Sequence, residues 1–164
     1  MEQTGSQAAL SLVKLCVGVD TIEDLATWQS SRTELRRHAG ADPRPRHVTR
    51  MWPRRVEEMR LGTEEAGSLY WVIKGLILVR QRILALEEVV GEDGISRCGL
   101  VLDPALVRTE SRPRRVFQGW RYLPAADAPP DLGPWQAGSG GGEYHLPVEL
   151  EAALDAIGVG AAGR

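Results

Sequence analysis

The segment SLYWVIKGLILVRQRIL, residues 68–84, gives the strongest strand signal in the chain and decides the class of fold. Aromatic and β-branched residues are frequent in it, and such residues favour the pleated, half-buried surface of a β-sheet. The segment is long enough for two strands or for one long bent strand. Gly75 lies near its centre, where a glycine indicates a bulge or a bend. We therefore expect a β-sheet to be built around these residues.

Charged and apolar side chains alternate in the second half of this segment, residues 76–84. In a strand, Arg80 and Arg82 point to the same face. The opposite face is then apolar and consists of Ile77, Val79 and Ile83. On a helix the two arginines would lie about 200° apart and could not act together. The pattern therefore favours a strand that presents both arginines on one side of a sheet.

The sequence before this segment predicts a strand followed by a helix. SLVKLCVGV (11–19) is rich in valine and leucine and is typical of a buried strand. Asp20 is then expected to cap a helix that runs to about His38 and ends at Gly40. The elements expected next are a loop over 40–46, a short strand over 47–52 and a helix from Pro53 to about Met59.

The sequence after the segment predicts further strands that are joined by turns. The dipeptide Asp93-Gly94 is a strong hairpin signal. The strands expected beyond it are 95–102, 105–109 and 116–123. In the last of these, Trp120 and Tyr122 lie on one face and Arg121 on the other.

The C-terminal part of the chain changes in composition. Residues 124–134 are rich in proline and residues 137–142 in glycine, which indicates a loop and a linker. LPVELEAALDAIG (146–158) has the spacing of an amphipathic helix. The expected divisions are a disordered N-terminus (1–8), a single domain (9–136), a Gly-rich linker (137–145) and a C-terminal helix (146–158). The expected fold is α+β, with a strongly bent, mostly antiparallel sheet of five or six strands, one helix after the first strand, and the C-terminal helix.

Charge is unevenly distributed along the chain, although the net charge is only −2. Residues 44–60 carry six arginines and two glutamates, and residues 108–122 carry five arginines and one glutamate. Residues 123–163 carry six acidic residues and no lysine or arginine. The chain therefore has two basic blocks and an acidic tail, which excludes a globally basic protein and leaves room for a local basic surface.

The arginines are interleaved with aromatic residues, most densely in RPRRVFQGWRYL, residues 112–123. Guanidinium groups bind phosphates in a bidentate manner, and flat rings stack on exposed bases. This combination predicts a non-enzymatic binder of RNA or single-stranded nucleic acid. The residues expected to form its surface are Arg80, Arg82, Arg112, Arg114, Arg115 and Arg121, a stacking face at Trp120 or Tyr122, and a second rim of Arg50, Arg54 and Arg55. The plainer interpretation is that these arginines pair with nearby acids and that the tryptophans are core residues.

Two further functions stay open. Lys74 is one of only two lysines and lies in apolar sequence, WVIKG. If it is half-buried, its pKa falls, and it could serve with a carboxylate such as Glu110 in a small hydrolase that acts on a nucleoside-like substrate. The structural alternative is a lysine at a bulge with its head in water. The third function is an interaction module whose arginine surface binds an acidic protein partner.

Other classes of site have no support in the sequence. His38, His47 and His145 are scattered without the spacing of a zinc site, so we expect no metal and no cofactor. Cys16 and Cys98 are expected to be buried free thiols.

No apolar run is long enough to span a bilayer and no secretory signal is evident, so the expected compartment is the cytoplasm. The sequence does not define the oligomeric state.

Several long segments resemble one bacterial family in the same order along the chain. They are LVKLCVGVDTIEDL, TRMWPRR, GSLYWVIKGLILVRQRIL, EDGISRCGLVLDPALVRT and RPRRVFQGWRYL. The family is DUF1489, a domain of unknown function, and the likeness covers roughly residues 10–133. The resemblance implies a cytoplasmic single-domain protein from alphaproteobacteria, and it carries no activity. A looser architectural analogy, to the small barrels of the PUA and ASCH superfamily, implies binding of RNA or modified bases.

Overall fold

The computed structural model describes residues 8–115 and 117–136 and contains one helix and eight strands within them. In chain order the elements are β1 (Ser11–Leu15), α1 (Ile22–His38), β2 (Arg46–Thr49), β3 (Ser68–Ile73), β4 (Leu76–Val90), β5 (Ser96–Leu102), β6 (Val107–Pro113), β7 (Trp120–Leu123) and β8 (Asp131–Pro134). Short 3-10 helices cover Val56–Met59 and Ala125–Asp127. The α+β class and the helix after the first strand are confirmed, whereas the expected number of strands was too low.

The deciding segment forms a hairpin of two strands, β3 and β4, that are joined by a two-residue turn. Ile73 pairs with Leu76, and the turn residues Lys74 and Gly75 have φ angles of 53° and 84°. Two successive positive φ values are the geometry of the hairpin turn whose twist matches that of the flanking strands. Gly75 therefore ends a tight turn, because it adopts a left-handed conformation without steric cost.

The strands form a single bent sheet in the order β2-β5-β4-β3-β1-β7, and β6 joins β4 to β8. All pairs are antiparallel except β1 with β3. The long strand β4 pairs with β3 and β6 through its first half and with β5 through its second half. The His47 ring on β2 contacts the Trp71 ring on β3, with centroids 5.0 Å apart, although β4 and β5 lie between these strands in the sheet order. The sheet is therefore curled, as expected, and it does not close.

The main core fills the inside of the curl. Its fully buried side chains come from β1, β3, β4, β5 and α1 and include Leu12, Leu25, Leu69, Trp71, Ile83, Leu100 and Leu102. A smaller cluster on the outer face contains Val13, Tyr70, Val72, Ile77 and Leu123. The prediction that Ile77 shares a face with Val79 is wrong, because an irregularity between Ile77 and Val79 in the pairing of β4 with β6 puts them in different clusters.

A buried amide network lies at the centre of the main core. Gln81, fully buried on β4, exchanges two hydrogen bonds of 2.8 and 2.9 Å with the side-chain amide of Gln29 on α1. The indole Nε1 of Trp71 donates to Gln81 Oε1 at 2.9 Å, and Gln81 Nε2 also donates to the carbonyl oxygen of Asp103 at 3.0 Å. Both donors and both acceptor positions of the Gln81 amide are therefore used.

Gly67 is the point where three segments of the chain meet. Its amide donates to the Met59 carbonyl at 2.8 Å, and its carbonyl accepts from the Ile83 amide at 2.9 Å. A Cβ atom added to Gly67 would lie 2.1 Å from the carbonyl oxygen of Leu10. No side chain fits at this crossing, so the position requires glycine.

Several local boundaries differ from the sequence-based expectation. The cap of α1 is Thr21, whose Oγ1 accepts from the Asp24 amide at 3.0 Å, and Asp20 lies one residue before it. The strand expected over 47–52 ends at Thr49, and the helix expected from Pro53 is only the 3-10 turn Val56–Met59. The strand expected over 116–123 begins at Trp120. The predicted linker and C-terminal helix lie outside the described residues, as do residues 1–7.

We predict that removing the central amide is costly for stability. Gln81→Ala should lower the free energy of unfolding by about 3–5 kcal/mol, because it leaves the Trp71 indole, the Gln29 amide and a buried carbonyl without partners. Gln118→Ala, at an exposed position, should change it by less than about 0.5 kcal/mol. Urea unfolding followed by circular dichroism measures both values, and equal effects of the two substitutions would contradict the central role of Gln81.

Candidate nucleic-acid interface

Strand β7 is an edge strand of the sheet and presents different residues on its two faces. Among the described strands it pairs only with β1. Trp120 and Tyr122 contact each other on the inner face, with ring centroids 4.9 Å apart. Leu123 belongs to the outer cluster, and Arg121, two residues before it, points the same way. The predicted alternation of aromatic residues and arginine along this strand is therefore confirmed.

The inner face of β7 contacts the first basic block. The Trp120 indole Nε1 donates to the Met51 carbonyl at 3.0 Å. The Arg55 amide donates to the Tyr122 hydroxyl at 3.0 Å, and the Arg55 guanidinium lies 5.1 Å from the centroid of that ring. These contacts bring residues 50–55 against β7, so that the two basic blocks meet in the fold.

On the outer side, two arginines lie against one aromatic ring. The guanidinium carbon of Arg114 is 5.3 Å from the Phe117 centroid, and that of Arg121 is 4.9 Å away. Arg121 is further held by bonds of 2.7 and 3.1 Å to the carbonyls of Gln118 and Trp120. Sequence reasoning missed Phe117 as a site residue, although it is the only phenylalanine and lies inside the arginine-rich segment.

The predicted arginines divide into paired and unpaired groups. Arg55 forms a bidentate pair with Glu58 at 2.8 and 2.7 Å, and Arg112 donates to the Asp127 carbonyl at 2.6 Å. Within the described part of the chain, no hydrogen bond or ion pair engages the side chains of three exposed arginines, Arg50, Arg54 and Arg115. Trp52, between the first two in sequence, is 41% exposed. These groups are free to bind an external anion.

Arg80 and Arg82 line a separate cleft on the outer face of the sheet, with a volume of about 340 Å³. Arg80 forms bonds of 2.8 and 2.7 Å with Asp131 and one of 2.9 Å with Ser68 Oγ. The Arg80 guanidinium also lowers the pKa of Asp131. Acidic residues Glu64 and Glu65 line the same cleft. The predicted pair of arginines on one face is present, but the charge of Arg80 is already neutralised.

The weaker candidates for catalysis do not form a buried site. Lys74 lies on the β3–β4 turn with its side chain 62% exposed, and its Nζ is 3.9 Å from Asp20 Oδ1. Glu110 on β6 is exposed. The half-burial on which a catalytic role for Lys74 would depend is therefore absent.

The sequence model of a family described as "Protein of unknown function (DUF1489)" matches residues 12–160, which is most of the chain. The chain belongs to the DUF1489 family. No curated protein and no solved structure matches it. The family membership confirms the resemblance seen in the sequence and supplies no activity.

The DUF1489 chain also contains a group of polar residues that sequence reasoning did not select. Lys14 on β1 is in register with Trp71 of β3 on one side and with Trp120 of β7 on the other. Burial lowers the pKa of Lys14 and raises that of Cys16, which follows on the same face, to about 12. A signal existed, because strand alternation already assigns Lys14 to the apolar face of Leu12 and Cys16.

His47 of the DUF1489 chain is a partly buried histidine whose surroundings favour the neutral imidazole. Burial lowers its pKa to about 4, and the positive charge of Lys14 adds to this effect. Its Nε2 atom is buried without a hydrogen-bond partner among the described residues. The described residues contain no group of three metal-binding side chains, and no described helix is long and apolar enough to cross a bilayer.

We predict that His47 makes stability depend on pH. Because its folded pKa of about 4 lies below the unfolded value of 6.5, the unfolded chain takes up the proton first. Above pH 6.5 His47 does not lower the free energy of unfolding. Between pH 6.5 and 4 this free energy falls as the pH falls, with a slope of at most about 1.4 kcal/mol per pH unit. The pKa of Asp93 is lowered from 3.8 to about 2, so protonation of this carboxylate changes the stability only below pH 4.

Urea unfolding at a series of pH values tests this dependence. His47→Gln should flatten the curve between pH 6.5 and 4. His38→Gln, at an exposed position near the end of α1, is the matched control and should leave the slope in place. An unchanged slope in His47→Gln would mean that another group is responsible.

Proposed function

We propose that the chain binds RNA or other single-stranded nucleic acid through the surface around β7. This β7 arginine surface consists of Arg50, Arg54, Arg55, Arg114, Arg115 and Arg121, together with Trp52, Phe117, Trp120 and Tyr122. The observation that supports the proposal most directly is that exposed arginines from two distant parts of the sequence border one edge strand. Three of them have no partner in the described chain.

The charge of this surface favours a polyanion. Within the described ranges, the one carboxylate that pairs with any of these six arginines is that of Glu58. Unpaired guanidinium groups retain their full charge and both edges of their hydrogen-bonding fork for phosphate oxygens. The excess of positive charge is local, which is consistent with the small net charge of the whole chain.

The aromatic residues favour single strands over duplexes. The indole of Trp52 is partly exposed between Arg50 and Arg54, where an unstacked base could lie on it. Stacking of a base on an aromatic side chain contributes about 1–3 kcal/mol and needs little sequence specificity. Trp120 and Tyr122 are held by main-chain groups, so they support the surface, and Trp52 is the better stacking face.

The remaining predicted arginines have secondary roles. The Arg82 guanidinium lacks a partner among the described residues and could extend the path of a bound strand along the outer face. Arg80 and Arg112 would have to leave Asp131 and the Asp127 carbonyl first. A PUA-like mode of binding and a cytoplasmic compartment, where RNA is accessible, are consistent with this proposal.

A second candidate function, binding of an acidic protein partner, is favoured by one observation. Met51, Trp52 and Val48 expose large parts of their apolar side chains beside Arg50. An exposed apolar group rimmed by charge is typical of protein interfaces.

We predict that the full chain binds a labelled single-stranded RNA in fluorescence anisotropy at low salt. The triple variant Arg50→Ala, Arg54→Ala, Arg115→Ala should weaken binding at least about tenfold, because each phosphate contact to a charged donor contributes about 1.5 kcal/mol or more. It should also reduce the slope of log affinity against log salt by about 0.7 per lost contact.

The matched control removes arginines that are already paired and lie elsewhere. The variant Arg37→Ala, Arg44→Ala, Arg97→Ala changes the net charge by three, as the test variant does, but its arginines pair with Glu34, Asp42 and Asp93, so binding should change little. Equal losses in both variants would indicate a nonspecific charge effect. If the chain binds neither RNA, single-stranded DNA nor duplex DNA at low salt, the proposed nucleic-acid binding is wrong. Binding of an acidic protein partner would then be the function to test.

A further inference from the structure

The outer cleft, which Arg80 and Arg82 line, has space for a small ligand. Its volume of about 340 Å³ is that of a site for a small metabolite. Small residues from separate segments form part of its wall, among them Ala8, Ala66 and Ala125. The space is therefore open because these positions carry no large side chain.

The polar groups of the outer cleft are held in place by the sheet. The Arg80 guanidinium is fixed between Asp131 and Ser68 Oγ by bonds of 2.7 to 2.9 Å. The Tyr70 ring is 8% exposed and belongs to the outer cluster, and its hydroxyl has no hydrogen-bond partner among the described residues. Burial raises the pKa of Tyr70, so this hydroxyl stays protonated and is available as a donor.

Two opposite charges in the outer cleft stay without a counter-charge. Arg80 is already neutralised, and Glu65 pairs with Arg60 at 2.9 Å. Within the part of the chain that the structure describes, no hydrogen bond or ion pair engages the guanidinium of Arg82 or the carboxylate of Glu64. These two groups do not pair with each other either, although both line the same space.

We propose that the outer cleft binds a small zwitterion, a free amino acid, with its carboxylate on Arg82 and its ammonium group on Glu64. The Tyr70 hydroxyl donates a further hydrogen bond to the bound carboxylate. A ligand that carries both charges satisfies both groups at once. An anion such as phosphate would leave Glu64 unpaired and would be repelled by it.

This inference goes beyond the proposed nucleic-acid binding and does not depend on it. The residues that form the β7 arginine surface do not line the outer cleft. A bound amino acid occupies Arg82, so the secondary role of Arg82 along a nucleic-acid strand is then confined to the unliganded chain.

Thermal unfolding of the full chain, with each common amino acid added separately, tests the proposal. The series includes 4-aminobutyrate, in which the two charges lie further apart. At concentrations up to about 10 mM we expect at least one compound to raise the Tm by about 2–4 °C, because a ligand that binds only the folded chain stabilises it. Absence of a rise with every compound overturns the proposal.

Analogues of the amino acid that binds separate the contributions of its two charges. Its amide keeps the ammonium group alone, and its deaminated form keeps the carboxylate alone. Each should lose most of the rise in Tm, because one group of the cleft stays unpaired. An equal rise with either analogue contradicts recognition of a zwitterion.

Matched variants locate the bound amino acid. Arg82→Gln and Glu64→Gln each remove one charge from the outer cleft and should lower the affinity, measured by isothermal titration calorimetry, at least about tenfold. Arg115→Gln and Glu57→Gln remove the same charges at exposed positions outside the cleft and should leave the affinity unchanged. An unchanged affinity in both cleft variants overturns the proposal.

Tyr70→Phe keeps the ring in the outer cluster and decides the question if the charge variants do not fold. It should weaken binding of the amino acid about two- to tenfold and leave the circular dichroism spectrum unchanged. RNA binding by the same proteins separates this proposal from the proposed function. Arg115→Gln should weaken binding of RNA alone, and Tyr70→Phe should weaken binding of the amino acid alone.

Discussion

The reciprocal amide pair of Gln81 and Gln29 is the interaction on which the rest of the structure depends. It joins the only helix of the described chain to the longest strand, and through Trp71 and the Asp103 carbonyl it also fixes β3 and the connection between β5 and β6. In a low-dielectric interior such bonds are strong when every group is satisfied and costly when one is missing. The network therefore specifies one position of α1 on the sheet, which apolar packing alone would leave less defined.

The same alternation along β4 sets the character of both faces. Gln81 points into the curl, whereas Arg80 and Arg82 on either side of it point to the outer cleft. Along β7 the alternation is repeated with aromatic residues inside and Arg121 outside. The sheet thus has an apolar, aromatic inner face, and it presents Arg80, Arg82 and Arg121 on its outer face.

Local patterns in the sequence predicted those parts of the fold that local forces decide. The alternation in residues 76–84, the Asp93-Gly94 turn and the end of α1 at His38 all follow from neighbouring residues. Strand β8 was missed because its proline-containing sequence has no alternation, and its pairing with β6 is a tertiary effect. Sequence periodicity does not fix positions to a single residue. It therefore did not predict the irregular strand pairing beside Val79 or the choice of Thr21, rather than Asp20, as the helix cap.

The candidate sites were predictable to a smaller extent, because they depend on residues far apart in sequence. The dense run of arginines predicted that Arg114 and Arg121 belong to one surface, whereas Phe117, the ring that both contact, was missed. The sequence does not show which arginines are paired. In the structure Arg80 pairs with Asp131, whereas Arg50 and Arg54 pair with nothing in the described chain. Lys14 became notable only when strand pairing put two tryptophans beside it.

Gly67 shows how little tolerance this architecture has at its centre. The chain crosses beneath Leu10 at a distance that leaves room for a hydrogen atom but not for a methyl group. Even an alanine at this position would push the Leu10 carbonyl away from Gly67, at the start of β1 and β3, which are the parallel pair among the described strands. At this crossing an atom-sized gap therefore limits the position to glycine.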